Sequence, residues 1–148
     1  MDLEITIAAP AESDIPTILA IEHDSQPEPW SEKSFREELG RHSLFVARIR
    51  EEIAGYICFW CVSDEVQILN VAVRQDFRRK GIARKLIEFA IGSGRQATLA
   101  TLEVRKSNRA ARSLYESLGF RVTGERPGYY APHEESAILM ERAVSSDE

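Results

Sequence analysis

The chain opens on alternating apolar positions, Leu3, Ile5 and Ile7, which predict one face of a short strand. Ser13 and Asp14 then offer helix caps, Pro16 fits a first helical turn, and Ile15, Ile18 and Leu19 make an apolar stripe. In PWSEKSFREELG, Ser31 predicts an N-cap, Trp30 a hydrophobic partner for Phe35, and Gly40 a helix end. Residues 44–49 and 53–62 are β-rich and flank the charged turn Arg50, Glu51, Glu52, as in an antiparallel hairpin. The run VQILNVAV (66–73) is nearly all apolar, which predicts a central strand covered on both faces. From Gly81, Ile82, Leu86 and Ala90 keep helical spacing until Gly92, Ser93 and Gly94 are expected to break it. Residues 98–104 read as another strand. Ser107 and Asn108 cap a helix with the stripe Ala111, Leu114, Tyr115 and Leu118; Gly119 ends it and Phe120 closes a C-terminal contact. Strands at 120–123 and 137–141 follow.

The order is therefore strand, two helices, three strands, helix, strand, helix, two strands. That succession predicts an α/β (α+β) domain with a mixed central sheet of about seven strands and about four helices on its faces, not a doubly wound sheet. With 148 residues, one domain over 1–144 and a flexible tail at 145–148 are expected. The net charge of -5 argues against a nucleic-acid binder and favours a basic ligand or partner. No apolar run is long enough to span a membrane and the N-terminus lacks a signal-like pattern, so a cytoplasmic protein is expected. Cys58 and Cys61 lie in an apolar strand, on opposite faces by their three-residue step, and read as buried thiols rather than a redox or metal pair. His23, His42 and His133 are scattered without metal spacing, so no metal is expected.

Chemistry concentrates at positions 74–85, where Arg74, Arg78, Arg79, Lys80, Arg84 and Lys85 face one acid, Asp76. Charge alone would suit a solvated helix start. Its position after a strand, through Gly81 and into a helix, converges free backbone N–H groups on one point, the arrangement that takes an anion such as a pyrophosphate. Gly81 and Ala83 keep the approach open.

The stretch RRKGIA resembles the R/Q-x-x-G-x-G/A signature of the GNAT family of acetyl-CoA dependent N-acetyltransferases. The element order is similar to that fold over almost the whole chain, and PWSEKSF, LEVRKSN, LYESLGF and GYY resemble the ribosomal-protein-alanine (RimI-like) branch. Ala83 stands where many members carry glycine. The resemblance implies splayed central strands, with Val71, Ala72 and Val73 offering backbone groups to the pantetheine arm and thioester, and the Val73 N–H as oxyanion donor. It implies that Arg78, Arg79, Lys80, Gly81, Ile82, Ala83 and Arg84 wrap the pyrophosphate, and that Asn108 helps hold the cofactor, although its residue type alone reads as a helix cap.

By the same resemblance Glu103 is the base and Tyr115 the acid for the departing thiolate. From pattern alone Glu103 is a solvent-facing strand acid or an ion-pair partner of Arg105 or Lys106, and Tyr115 a core aromatic. Trp30, Glu32 and Phe35, together with Tyr129 and Tyr130, are candidate acceptor contacts. The resemblance thus implies acetyl transfer from acetyl-CoA to a protein N-terminus, with the alanine of a small-subunit ribosomal protein foremost, without nucleic-acid or membrane binding. Transfer to lysine side chains or small amines, and a non-catalytic acetyl-CoA-binding module, are the alternatives.

Overall fold

The computed structural model describes residues 4–26, 28–94, 96–130 and 135–144. The expected Leu3, His133 and the 145–148 tail lie outside them. In chain order the elements are β1 (Ile5–Ala8), α1 (Ile15–Ser25), α2 (Glu32–Gly40), β2 (Leu44–Ile49), β3 (Glu52–Val62), β4 (Glu65–Val73), α3 (Ile82–Ser93), β5 (Leu99–Arg105), α4 (Arg109–Ser117), β6 (Arg121–Tyr130) and β7 (Glu135–Ala143). The seven strands form one mixed sheet in the order β1-β2-β3-β4-β5-β7-β6. Strands β4 and β5 pair in parallel, from Glu65↔Leu99 to Ile68↔Leu102. Among the described residues, seven strands and four α-helices follow in the order that the hydrophobic pattern predicts.

Two compact units divide the chain, residues 1–60 with 70–90, and 61–69 with 91–148. In the first, Ile15, Ile18 and Ile21 of α1 and Phe35 of α2 are buried with Leu44, Val46, Ile53, Tyr56 and Ala72. The predicted α2 start holds: Ser31 Oγ accepts the Ser34 N–H at 3.1 Å, and the Trp30 and Phe35 rings lie 5.3 Å apart. Its end differs, because Gly40 stays helical and the left-handed turn falls on His42 (φ 61°). At α1 neither expected side-chain cap forms. Asp14 instead accepts from the Ala11 N–H at 2.8 Å and from Arg48 at 2.6 Å.

In the second unit α4 closes as predicted. Gly119 (φ 94°) donates to the Glu116 carbonyl at 3.0 Å, Phe120 to that of Tyr115 at 3.0 Å, and the two rings meet at 6.1 Å. This paired closure with its apolar contact satisfies carbonyls that a helix end leaves bare.

Three other expectations need correction. The β4 run is fully covered on one face only: Val66, Ile68, Asn70 and Ala72 are buried, while on the other face Gln67, Val71 and Val73 are half-buried and Leu69 is exposed. Helix α3 ends at Ser93, inside the predicted Gly92, Ser93, Gly94 break. Strands β6 and β7 exceed their predicted lengths. Finally, Cys58 is buried but Cys61 is exposed, since the side chains alternate and only one of them meets a packed face.

Candidate active site

The basic loop starts where β4 ends. Arg74 is committed elsewhere: its guanidinium bonds to Asp76 at 2.8 and 2.6 Å, reaches Glu52 at 3.3 Å and lies 4.6 Å over the Phe77 ring. Arg78 donates to the Val73 carbonyl at 3.1 Å and to Ser25 Oγ at 3.5 Å, so it braces the strand end. Beyond it the chain turns through Arg79 (φ 64°) and Gly81 (φ 77°) into α3. There the Lys85 N–H donates to the Gly81 carbonyl at 3.1 Å, one helical turn back. The amides of Ile82, Ala83 and Arg84 precede it and have no carbonyl one turn back to bind.

A Cβ placed on Gly81 would meet nothing within 4 Å, so the ground before these amides is open. Arg79, Lys80 and Arg84 are exposed around it, while the Ile82 side chain is buried and contributes only backbone. Oriented N–H donors, added positive charge and free space suit a pyrophosphate group. The cradle fits the cofactor that the signature implies.

Strand β4 adds backbone donors. Arg74 N–H bonds to the Ala54 carbonyl of β3 at 2.7 Å, and a Cβ on Gly55 would come within 2.6 Å of the Ala72 carbonyl oxygen. Strand polar groups alternate in direction, so the Val71 and Val73 N–H groups turn to the side away from β3. Gly55 is therefore what permits β3 to lie this close to β4.

In the second unit Glu103 is exposed on β5, between buried Leu102 and Val104. Its partner is Arg126 of β6 at 3.3 Å, not the expected Arg105 or Lys106, which pair with Glu135 and Glu125 at 3.3 and 3.4 Å. Antiparallel pairing with β7 on both sides brings β5 and β6 side chains within reach. Tyr115 is buried in α4, and burial pushes its phenol up to about 12. Among the described residues its hydroxyl has no hydrogen-bond partner. Asn108 caps α4, its Oδ1 accepting the Ala111 N–H at 3.1 Å.

The candidate acceptor residues divide. Trp30 is half-buried and Glu32 is exposed, in an ion pair with Arg36 at 2.7 Å. Phe35 is fully buried between Trp30 and Tyr56, so it has no surface to offer a peptide and serves the core. Tyr129 is exposed beside the Arg126 guanidinium, 5.5 Å from its ring centre. Of Tyr130 the structure describes only its place at the end of β6.

Two buried carboxylates escaped the sequence reading. Glu22 is fully enclosed and accepts from Tyr56 Oη, from Asn70 Nδ2 at 2.9 Å and from the Trp30 N–H at 2.9 Å. It lies seven positions after Ile15, on the same helical stripe, and that acid on an apolar stripe was the available signal. Glu38 accepts from Ser43 at 2.6 Å, Trp60 at 2.8 Å and Arg41 at 2.6 Å. Burial alone would raise its pKa; these donors together hold it below the ordinary value. Cys58 lies against the same carboxylate, and burial pushes its thiol up to about 12, the state of an inert core cysteine.

Among the described residues no cluster of three or more His, Cys, Asp or Glu could hold a metal, and no helix is long and apolar enough to cross a membrane. Residues 15–120 match the Acetyltransferase (GNAT) family. The chain is 37% identical over 145 residues to the ribosomal protein bS18-alanine N-acetyltransferase of Escherichia coli (strain K12), covering 95% of this chain and 98% of that one. The crystal structure of an Escherichia coli ribosomal-protein-alanine N-acetyltransferase superposes with a TM-score of 0.84 at 35% identity, over 96% of this chain and 95% of that one. That of Ard1 from Thermoplasma volcanium gives 0.88 at 27% identity, over 95% and 98%.

Proposed function

The chain belongs to the GNAT acetyltransferase family, and we propose that it moves the acetyl group of acetyl-CoA to the N-terminal α-amine of a protein, with an alanine-starting small-subunit ribosomal protein as the foremost acceptor. The observation that carries this reading is the likeness, across nearly the full length of both chains, to an enzyme named for that reaction. Bound acetyl-CoA supplies an activated thioester. The α3 amides of residues 82–84, with Gly81, Arg79, Lys80 and Arg84, hold its pyrophosphate, and Arg78 acts from behind by fixing the Val73 carbonyl. Val71, Ala72 and Val73 offer backbone groups to the pantetheine arm, and the Val73 N–H faces the oxygen on which negative charge builds. Asn108 adds to the cofactor grip while capping α4.

An α-amine has a pKa of roughly 7.7 to 8.0, so about a tenth to a fifth is already neutral at pH 7. Glu103 takes the remaining proton, directly or through a water, and its exposure on β5 leaves it accessible for that task. Tyr115 remains protonated throughout the neutral range, because its proton is held up to about pH 12, and it supplies the proton for the departing thiolate. For the acceptor, Trp30 and Glu32 in the first unit and Tyr129 in the second are the proposed contacts.

Calorimetric titration with acetyl-CoA tests the cradle. Gly81→Trp fills the open space and places a bulky residue at φ 77°, so affinity should fall by at least about tenfold. Unchanged affinity would remove the loop from the cofactor site.

A further inference from the structure

No step above uses Glu22, although it is fully buried and each of its carboxylate oxygens is committed. Oε1 accepts from Tyr56 on β3 and from Asn70 on β4, the latter at 2.9 Å; Oε2 accepts the backbone N–H of Trp30 at 2.9 Å, in the connection between α1 and α2. Asn70 in turn accepts from Gln26 at 3.3 Å, at the other end of that connection. The rings of Trp30, Phe35 and Tyr56 complete the circuit, with centroids 5.3 and 5.6 Å apart. All three donors to Glu22 are neutral, so the carboxylate is held by geometry rather than by a countercharge. Asn70 immediately precedes Val71, and Trp30 belongs to the acceptor set.

We infer that Glu22 is a positioning residue for the acceptor: it locks the backbone at Trp30 to the strand that carries the thioester-binding amides, and so sets where the peptide N-terminus is presented. The inference rests on the proposed function for the identity of the acceptor, but not for the lock itself. A bare apolar side chain of similar length removes every acceptor atom, whereas a carboxamide still offers one oxygen to the Trp30 N–H.

The test compares Glu22→Met and Glu22→Gln with the unaltered protein. Glu22→Met should raise the peptide KM by about tenfold, the size of one lost buried hydrogen bond, while kcat and the calorimetric acetyl-CoA Kd stay within about twofold. Glu22→Gln should bring the peptide KM back to within about threefold. An unchanged peptide KM in Glu22→Met, or an equal rise in the acetyl-CoA Kd, would overturn the inference, since a merely structural role would weaken both ligands or neither. If Glu22→Met does not fold, Tyr56→Phe removes one donor at nearly constant volume. It should raise the peptide KM by about twofold to threefold, and no change there would count equally against it. Amide hydrogen exchange separates the two readings: Trp30 N–H protection should fall in Glu22→Met relative to α1 even if no peptide is ever acetylated. Retained protection would sink the lock alone, and absence of peptide acetylation in the unaltered protein would sink the proposed function alone.

Discussion

At the scale of single residues, Tyr115 and Glu103 make opposite demands on their surroundings. Tyr115 is enclosed, with its ring against Phe120 and its hydroxyl without a partner among the described residues. Removing that hydroxyl should therefore leave packing intact. Tyr115→Phe is expected to lower kcat by about a hundredfold, the lower end of what a positioned acid contributes, with acetyl-CoA affinity unchanged. Its titration gives a second check. The unfolded chain releases the phenolic proton near pH 10 and the folded chain near 12, so its contribution is complete below pH 10 and lost as pH rises through about 12. Denaturant melts across that window should show a smaller alkaline loss in Tyr115→Phe than in the unaltered protein. For Glu103→Gln the deficit in kcat/KM should grow as pH falls, because fewer amines are then already neutral. A deficit independent of pH would place Glu103 with the ion pairs, beside Arg126.

Among the elements, the start of α2 and both ends of α4 were the most legible features. Ser31, Asn108 and Gly119 each do locally what their residue types favour, and the Trp30–Phe35 and Tyr115–Phe120 contacts follow from their spacing. Strand β6 runs past its predicted end at Thr123, through Gly124, Pro127 and Gly128. The sheet absorbs them: β6 is an edge strand, its register shifts at Val122/Gly124 and Arg126/Tyr130, and a Cβ on Gly124 would lie 3.0 Å from Leu139 Cδ1. Glu22 was not legible as a hub, because the acid on the apolar stripe gives no sign of its donors, two of which, Tyr56 and Asn70, come from strands distant in sequence. Asn108→Ala should cost α4 about 1 kcal/mol in a chemical melt, and Asn108→Ser should restore most of it. If acetyl-CoA affinity falls in both, the amide also serves the cofactor. Gly55→Ala forces a Cβ against the Ala72 carbonyl, and should destabilise by about 1–3 kcal/mol or shift the backbone of β4 enough to weaken acetyl-CoA binding.

For the whole molecule, the basic cradle belongs to a chain of net charge -5, so its positive charge is local. The family signature was readable because it is a few contiguous residues with plain local features: a glycine at positive φ, a helix start, exposed cations. The acceptor side was less readable. Phe35 proved to be core, Arg126 joined Glu103 through strand pairing, and the Trp30 backbone is fixed by a helix residue eight positions earlier. The central claim concerns which amine is acetylated. Purified protein is incubated with acetyl-CoA and an equal mixture of peptides beginning with Ala, Ser, Gly or Met, each with an internal lysine, and fragmentation mass spectrometry locates the acetyl group. Label on the α-amine, strongest on the alanine peptide, is the predicted result; label confined to lysine, or none while acetyl-CoA still binds, would contradict it.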